Sequence, residues 1–214
     1  MTRLFKTIVY LSLGVVVLSC NNSEKNKTKS TVDKPSEQLY SYSVDTTGIS
    51  VLWTAYKFTD KVGVPGTFDR ISFNNTEASG SIENLLNKAQ LSIQTASVNS
   101  KNAIRDPKIN TFFFKPFNTP EIKGTILDAK EGEGMVKLYM NRTTHETPFT
   151  YSIENDTIKV IAHLDLGYWN GEEGITSLNT ECYDLHKGAD GISKLWPDVD
   201  VVIKLPVRKT PVME

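Results

Sequence analysis

Phe149-Thr150-Tyr151-Ser152-Ile153-Glu154-Asn155-Asp156-Thr157-Ile158-Lys159-Val160-Ile161-Ala162-His163-Leu164-Asp165-Leu166 is the stretch that decides the fold class. Apolar residues fall at every second position before Asn155-Asp156 and again after it. A period of two places side chains on alternate faces of a strand, and an Asn-Asp pair between two such runs is a tight-turn signal. The stretch therefore reads as a β-hairpin with one buried face. His163 is out of phase with Ala162 and Leu164 and is expected to face solvent.

The same pattern recurs along the chain. Ser50 to Phe58 alternates, as do Ala89-Leu91-Ile93 and Val136-Leu138-Met140, and the last such run is Val199 to Val207. Gly132-Glu133-Gly134 marks another turn. Many short alternating runs joined by tight turns predict an antiparallel sandwich or barrel. Three helical pieces interrupt them. Ser81 can cap a short helix carrying Ile82, Leu85 and Leu86. Asp106-Pro107 reads as a cap followed by a first-turn proline, leading to Ile109 and the Phe112-Phe113-Phe114 cluster. The third piece starts after Asn170 and stops at Gly188. Ile175, Leu178, Cys182 and Leu185 are spaced to form its apolar face over Glu172 to His186. The expected fold is mainly all-β with about three short helices, the third a candidate lid over a barrel end.

The N-terminus carries a separate signal. Arg3 and Lys6 precede an apolar run from Ile8 to Leu18, followed by Ser19 and Cys20. That run is shorter than the roughly 20 apolar residues a spanning helix needs, and the order of parts is that of a secretory leader. Val17-Leu18-Ser19-Cys20 resembles a bacterial lipobox, which implies acylation of Cys20 and anchoring by lipid. Asn21 to Gln38 holds a single aliphatic residue, Val32, and reads as a tether. The expected organisation is a leader over 1–19, a lipidated cysteine and tether over 20–39, a barrel domain over 40–209 and a tail over 210–214. With Cys20 acylated, Cys182 has no disulfide partner, and its place on an apolar face points to burial. The chain has 24 basic residues, two of them in the leader, against 25 acidic ones. That balance argues against a nucleic-acid partner.

These segments, in this order, resemble the YceI-like domain from about Tyr42 to Val207. Val44-Asp45 and Val51-Leu52-Trp53 match its opening strands. Gly66-Thr67-Phe68, Arg105-Asp106, Phe113-Phe114 and Pro120-Glu121-Ile122 follow in the family's order, and Leu138 to Thr144 matches its hairpin. Leu164-Asp165-Leu166, Trp169-Asn170, Leu185 to Gly188 and Trp196-Pro197 resemble the lipoprotein members from Bacteroidetes in particular. The resemblance implies a lipocalin-like antiparallel barrel around an elongated apolar cavity that holds a polyisoprenoid or other long-chain lipid. It places Val51, Trp53, Ala55, Leu91, Ile93, Phe113, Leu138 and Met140 toward that cavity. Many members have histidine where this chain has Gly48 and Lys57, so Lys57 becomes the candidate for a phosphate or carboxylate head group. The family's turn glycine is replaced by Arg142, which leaves Asn141 to supply any positive φ.

Enzyme signatures are missing from the sequence: there is no Gly-x-Ser-x-Gly, His-Glu-x-x-His or Cys-x-x-Cys. His145, His163 and His186 fall on different elements without zinc-ligand spacing, and no metal or cofactor is expected. Helix capping accounts for Asp106 and ion pairing for Arg105. Two function classes remain. One is an envelope protein, anchored in the outer membrane through Cys20 and facing the periplasm, that carries, buffers or senses a long-chain lipid. The other is an interaction module with a filled barrel and a protein partner the sequence does not name.

Overall fold

The computed structural model describes residues 39–212. Cys20, the leader and most of the expected tether lie outside them. The Phe149–Leu166 stretch forms the hairpin its alternation predicts. Strand β9 (Thr143–Glu154) pairs antiparallel with β10 (Thr157–Asp165), setting Ile153 opposite Ile158, Tyr151 opposite Val160 and Phe149 opposite Ala162. Asn155 and Asp156 both have positive φ, 49° and 55°, as a two-residue turn matched to the strand twist requires. The turn joining β8 (Glu133–Met140) to β9 has the same form, with φ of 45° at Asn141 and 58° at Arg142. Asn141 does not take the left-handed position alone. This turn type needs it at both central residues, so Arg142 is forced there too.

The remaining strands are β1 (Tyr40–Val44), β2 (Ser50–Lys57), β3 (Val62–Phe68), β4 (Ile71–Asn74), β5 (Gln90–Gln94), β6 (Val98–Asn99), β7 (Glu121–Lys130) and β11 (Leu195–Pro211). Hydrogen-bonded neighbours run β4-β5-β7-β8-β9-β10-β11-β2-β3-β6. The two ends of this path are parts of one bent ribbon. β3 continues through Asp69-Arg70 into β4, and β5 continues through Thr95–Ser97 into β6. Asp69 N–H donates to Ser97 O at 3.0 Å, and Gln94 N–H donates to Arg70 O at 3.1 Å. The sheet thus returns on itself as a lipocalin-like barrel, all antiparallel. β1 pairs with the far end of β11, from Val44 opposite Val207 to Tyr40 opposite Pro211.

One barrel end is packed shut. The short helix α1 (Ile82–Leu86) is capped by Ser81, whose Oγ accepts from Asn84 N–H at 3.2 Å. It drives Leu85 and Leu86 against Phe149, Ile158, Val160 and Leu205, all buried. Helices α2 (Arg105–Ile109) and α3 (Glu172–Glu181) cover the opposite end, together with a π-turn over Asn110–Phe114. Phe117, Met140, Leu166 and Trp169 pack there.

Two helix expectations are corrected. Asp106 does not cap α2. Its carboxylate turns back to Ser100, accepting from the backbone N–H at 2.8 Å and from Oγ at 2.6 Å, while Asn102 Oδ1 accepts from Arg105 N–H at 3.0 Å. The third helix ends at Glu181, and Leu185 is 63% exposed in a following 3-10 turn. Lys187 bridges to Ser193, and Lys194 N–H donates to His186 O at 3.1 Å. That pairing turns the chain before a fourth apolar position can reach the helix face. Cys182 stays buried.

The exposed Arg142 holds a conformation that costs an L-residue about 1–2 kcal/mol relative to glycine. Arg142→Gly should therefore raise stability by about 0.5–1 kcal/mol, measured by urea unfolding. A loss of stability would show that the arginine side chain outweighs its backbone strain.

Candidate ligand cavity

A cavity of about 230 Å³ runs inside the barrel between the packed end and the α2–α3 end. All eight residues expected to face inward line it. Val51, Trp53 and Ala55 come from β2, Leu91 and Ile93 from β5, Leu138 and Met140 from β8, and Phe113 from the π-turn. Sequence reasoning missed much of the wall. Val199, Val201, Ile203 and Leu205 of β11 line it, as do Val160, Ala162 and Leu164 of β10. Their period-two alternation carried the signal. Ile175 and Leu178 of α3, Leu195 and Trp196 also line it, and no local pattern indicated those last two.

Small residues shape the wall. The Trp53 indole lies over Gly66, where a Cβ would sit 2.1 Å from the ring carbon Cζ2. The first residue of the Gly-x-Phe strand is therefore a packing requirement: any side chain there displaces the indole. Gly174 plays a similar part in α3. A Cβ would stand 2.9 Å from the carbonyl oxygen of Phe113 and 3.0 Å from Cβ of Phe117. Close approach at Gly174 seats the helix on the π-turn and brings Ile175 and Leu178 over the cavity.

The polar atoms of the lining side chains are already bonded to the protein. Trp53 Nε1–H donates to Thr67 O at 3.2 Å and Trp196 Nε1–H to Phe58 O at 2.7 Å. Tyr56 donates its hydroxyl to the Asp200 carboxylate, which holds the phenol pKa above its ordinary value and that of the acid below. A guest therefore meets hydrocarbon surface along the length of the cavity.

Lys57 is not part of the lining. Its Nζ donates to Leu185 O at 3.0 Å and lies 4.3 Å from the centre of the Phe58 ring. It stands at the rim, however, paired in register with Leu195, a lining residue. Beside it a polar knot closes the chain after α3. His186 Nδ1 lies 3.1 Å from Asn179 Oδ1, Asn179 Nδ2 donates to Ser193 O at 3.4 Å, and Ser193 Oγ donates to Tyr183 O at 2.9 Å. Burial, and then the positive charges of Lys57 and Arg105, push the His186 pKa down to about 4. The expected ion pairing of Arg105 is absent: among the described residues no carboxylate lies within 4.0 Å of its guanidinium. Burial also pushes the Cys182 thiol pKa up, as suits a packing residue.

The histidines stay apart. His145 stacks on Tyr168 with ring centres 4.1 Å apart, and the exposed His163 lies 2.7 Å from an Asp200 oxygen. No three His, Cys, Asp or Glu side chains gather as metal ligands among the described residues.

The closed antiparallel ring and its apolar interior define a barrel of lipocalin-like form. The family model of the YceI-like domain matches residues 42–207, and the chain belongs to that family. Solved structures agree on the fold. A polyisoprenoid binding domain from Saccharophagus degradans, implicated in plant cell wall breakdown, is 17% identical with a TM-score of 0.55, covering 80% of this chain and 98% of its own. BcnA of Burkholderia cenocepacia is 16% identical with a TM-score of 0.50, covering 77% of this chain and 99% of its own. No curated protein gives a significant match.

His186 makes stability depend on pH with a definite sign. Its pKa of about 4 in the fold is below the roughly 6.5 of an unfolded histidine. Between those values the unfolded chain binds a proton that the fold does not. Stability is therefore lost as pH falls through this window and is recovered above it. Urea midpoints measured between about pH 7 and pH 4 should fall less steeply for His186→Gln than for the wild type. Parallel slopes would show that His186 is readily protonated in the fold.

Proposed function

We propose that this protein holds one long hydrocarbon chain in its barrel as a lipid carrier, buffer or sensor, acting by binding rather than catalysis. The observation that carries this reading is a cavity whose lining is apolar and whose few polar atoms are already bonded to the protein. Its volume of about 230 Å³ is just under the usual range for small-molecule sites, ~300–1,000 Å³, which suits a slender chain better than a fused-ring ligand. Water gains few hydrogen bonds in such a space, whereas a hydrocarbon tail gains about 25 cal/mol per Å² of apolar surface buried. The polyisoprenoid binding domain from Saccharophagus degradans, which shares the fold, supports a lipid ligand. The filled-barrel interaction module is the weaker reading because the interior is not filled.

The leader-like start and Cys20 extend the proposal to an outer-membrane lipoprotein facing the periplasm. Between Cys20 and β1 lie about twenty residues, which reach up to roughly 65 Å when extended.

Two experiments test these points. Ala55→Trp sets an indole in the lumen without altering the outer wall. It should fold with about 1–3 kcal/mol of strain and lose the lipid that co-purifies with wild type from the native host, read by native mass spectrometry. Unchanged lipid stoichiometry, or a wild type that never carries lipid, overturns the carrier reading. Cys20→Ala should release the protein from the membrane fraction, and full retention there would exclude acylation as the anchor.

A further inference from the structure

Exposed apolar side chains gather at the barrel end that α2 and α3 cover. Val62, Ile104, Tyr183, Leu185 and Ile192 are between 45% and 78% exposed. Val62 stands opposite Lys57 at the end of β2, Ile104 precedes α2, and the other three lie on the loop after α3. Contacts hold these segments side by side. Lys57 Nζ donates to Leu185 O at 3.0 Å, Phe58 N–H to Lys194 O at 2.9 Å and Thr59 Oγ1 to Asp190 at 2.5 Å. Gly188 N–H donates to Ile192 O at 2.9 Å, folding the loop back on itself, and Lys108 ties α2 to Glu181 at the end of α3 at 2.9 Å. The cavity lining reaches the same end through Tyr56, Leu195 and Trp196.

The polar part of this surface has a distinct character. Lys57 lies 4.3 Å from the centre of the Phe58 ring, Lys194 3.4 Å from that of Trp196 and Lys187 6.0 Å from that of Tyr183. Aromatic rings and lysine stems beside bare aliphatic tips suit a membrane interface, where the tips enter the acyl region and the ammonium groups stay in water. Residues 57–62 and 183–198 carry four lysines and four aspartates. Attraction to a charged surface is therefore weak there, and apolar insertion has to supply the contact.

We propose that this end of the barrel docks on a lipid bilayer, inserting Ile104, Leu185 and Ile192 so that a guest passes between membrane and lumen without crossing water. This rests on the lipid-binding reading above and adds the surface that delivers the ligand. β1 starts at the opposite end, where Tyr40 pairs with Pro211. From Leu195 to Pro211 the 17 residues of β11 span at most about 56 Å. The residues between Cys20 and β1 reach roughly 65 Å, so an anchor at Cys20 leaves enough chain for the docking end to meet the same membrane. Leu39, Tyr40 and Val212 are also exposed at the tether end, but α1 packs that end shut, so a contact there gives a lipid no way in.

The ring closes within residues 39–212, so the test uses the chain from Asn21 onward, without the anchor. Flotation with phosphatidylcholine vesicles reads docking, and decan-1-ol, followed through the fluorescence of Trp53 and Trp196, reads the lumen. Wild type should float with the vesicles. Leu185→Glu/Ile192→Glu should lower the bound fraction about tenfold while holding decan-1-ol within about twofold of wild type. Leu39→Glu, at the opposite end, should float like wild type. A wild type that stays with the soluble fraction, a double variant that floats as well as wild type, or an equal loss in Leu39→Glu overturns docking at this end and leaves the lipid barrel standing. A wild type that floats but takes up no decan-1-ol removes the lipid reading and this inference with it.

Discussion

The barrel depends on the ladder closing at Asp69–Arg70. There β3 bends into β4 and β5 turns through Thr95–Ser97 into β6, so that one ribbon serves both edges of the sheet. An open antiparallel sheet of these strands would leave its backbone edges free and its apolar face in water. Once the ring closes, every second residue of β2, β5, β8, β10 and β11 points at a common axis. The apolar interior is thus a consequence of closure.

Closure also decides what the interior can do. Phe149, Ile158, Val160 and Leu205 meet α1 and fill one end. The other end is not filled in this way. The π-turn, Trp169 and α3 supply a cover instead, seated through Gly174 against Phe113 and Phe117. Between the two lies a space whose wall spends its few polar atoms on itself.

Much of the fold was legible because local and global demands agree. Period-two alternation and turn pairs such as Asn155-Asp156 fixed strand positions and their facing, and all eight expected inward residues line the cavity. Disagreements arose where a contact distant in sequence prevailed. Asp106 follows Ser100 instead of capping its helix, Leu185 is pulled away by the Lys187–Ser193 pairing, and Arg105 lacks the ion pair its charge suggested. Arg142 adopts positive φ because the hairpin demands it, although its own preference is against it.

By itself the sequence determined the class of protein: alternating strands, tight turns, short helices, an apolar inward face and a leader-like start at Arg3 to Cys20. Those are local properties, set by side-chain polarity and backbone preference over a few residues. Only the tertiary structure decided that the inward face encloses a space rather than a solid core. That outcome depends on how far apart the strands stand once the ring closes and on how closely α3 approaches the π-turn. Neither distance is written in any one segment. The same holds at the rim: Lys57 and Leu185 are far apart along the chain, and the ammonium reaches the Leu185 carbonyl only because the end of β2 and the turn after α3 are brought together.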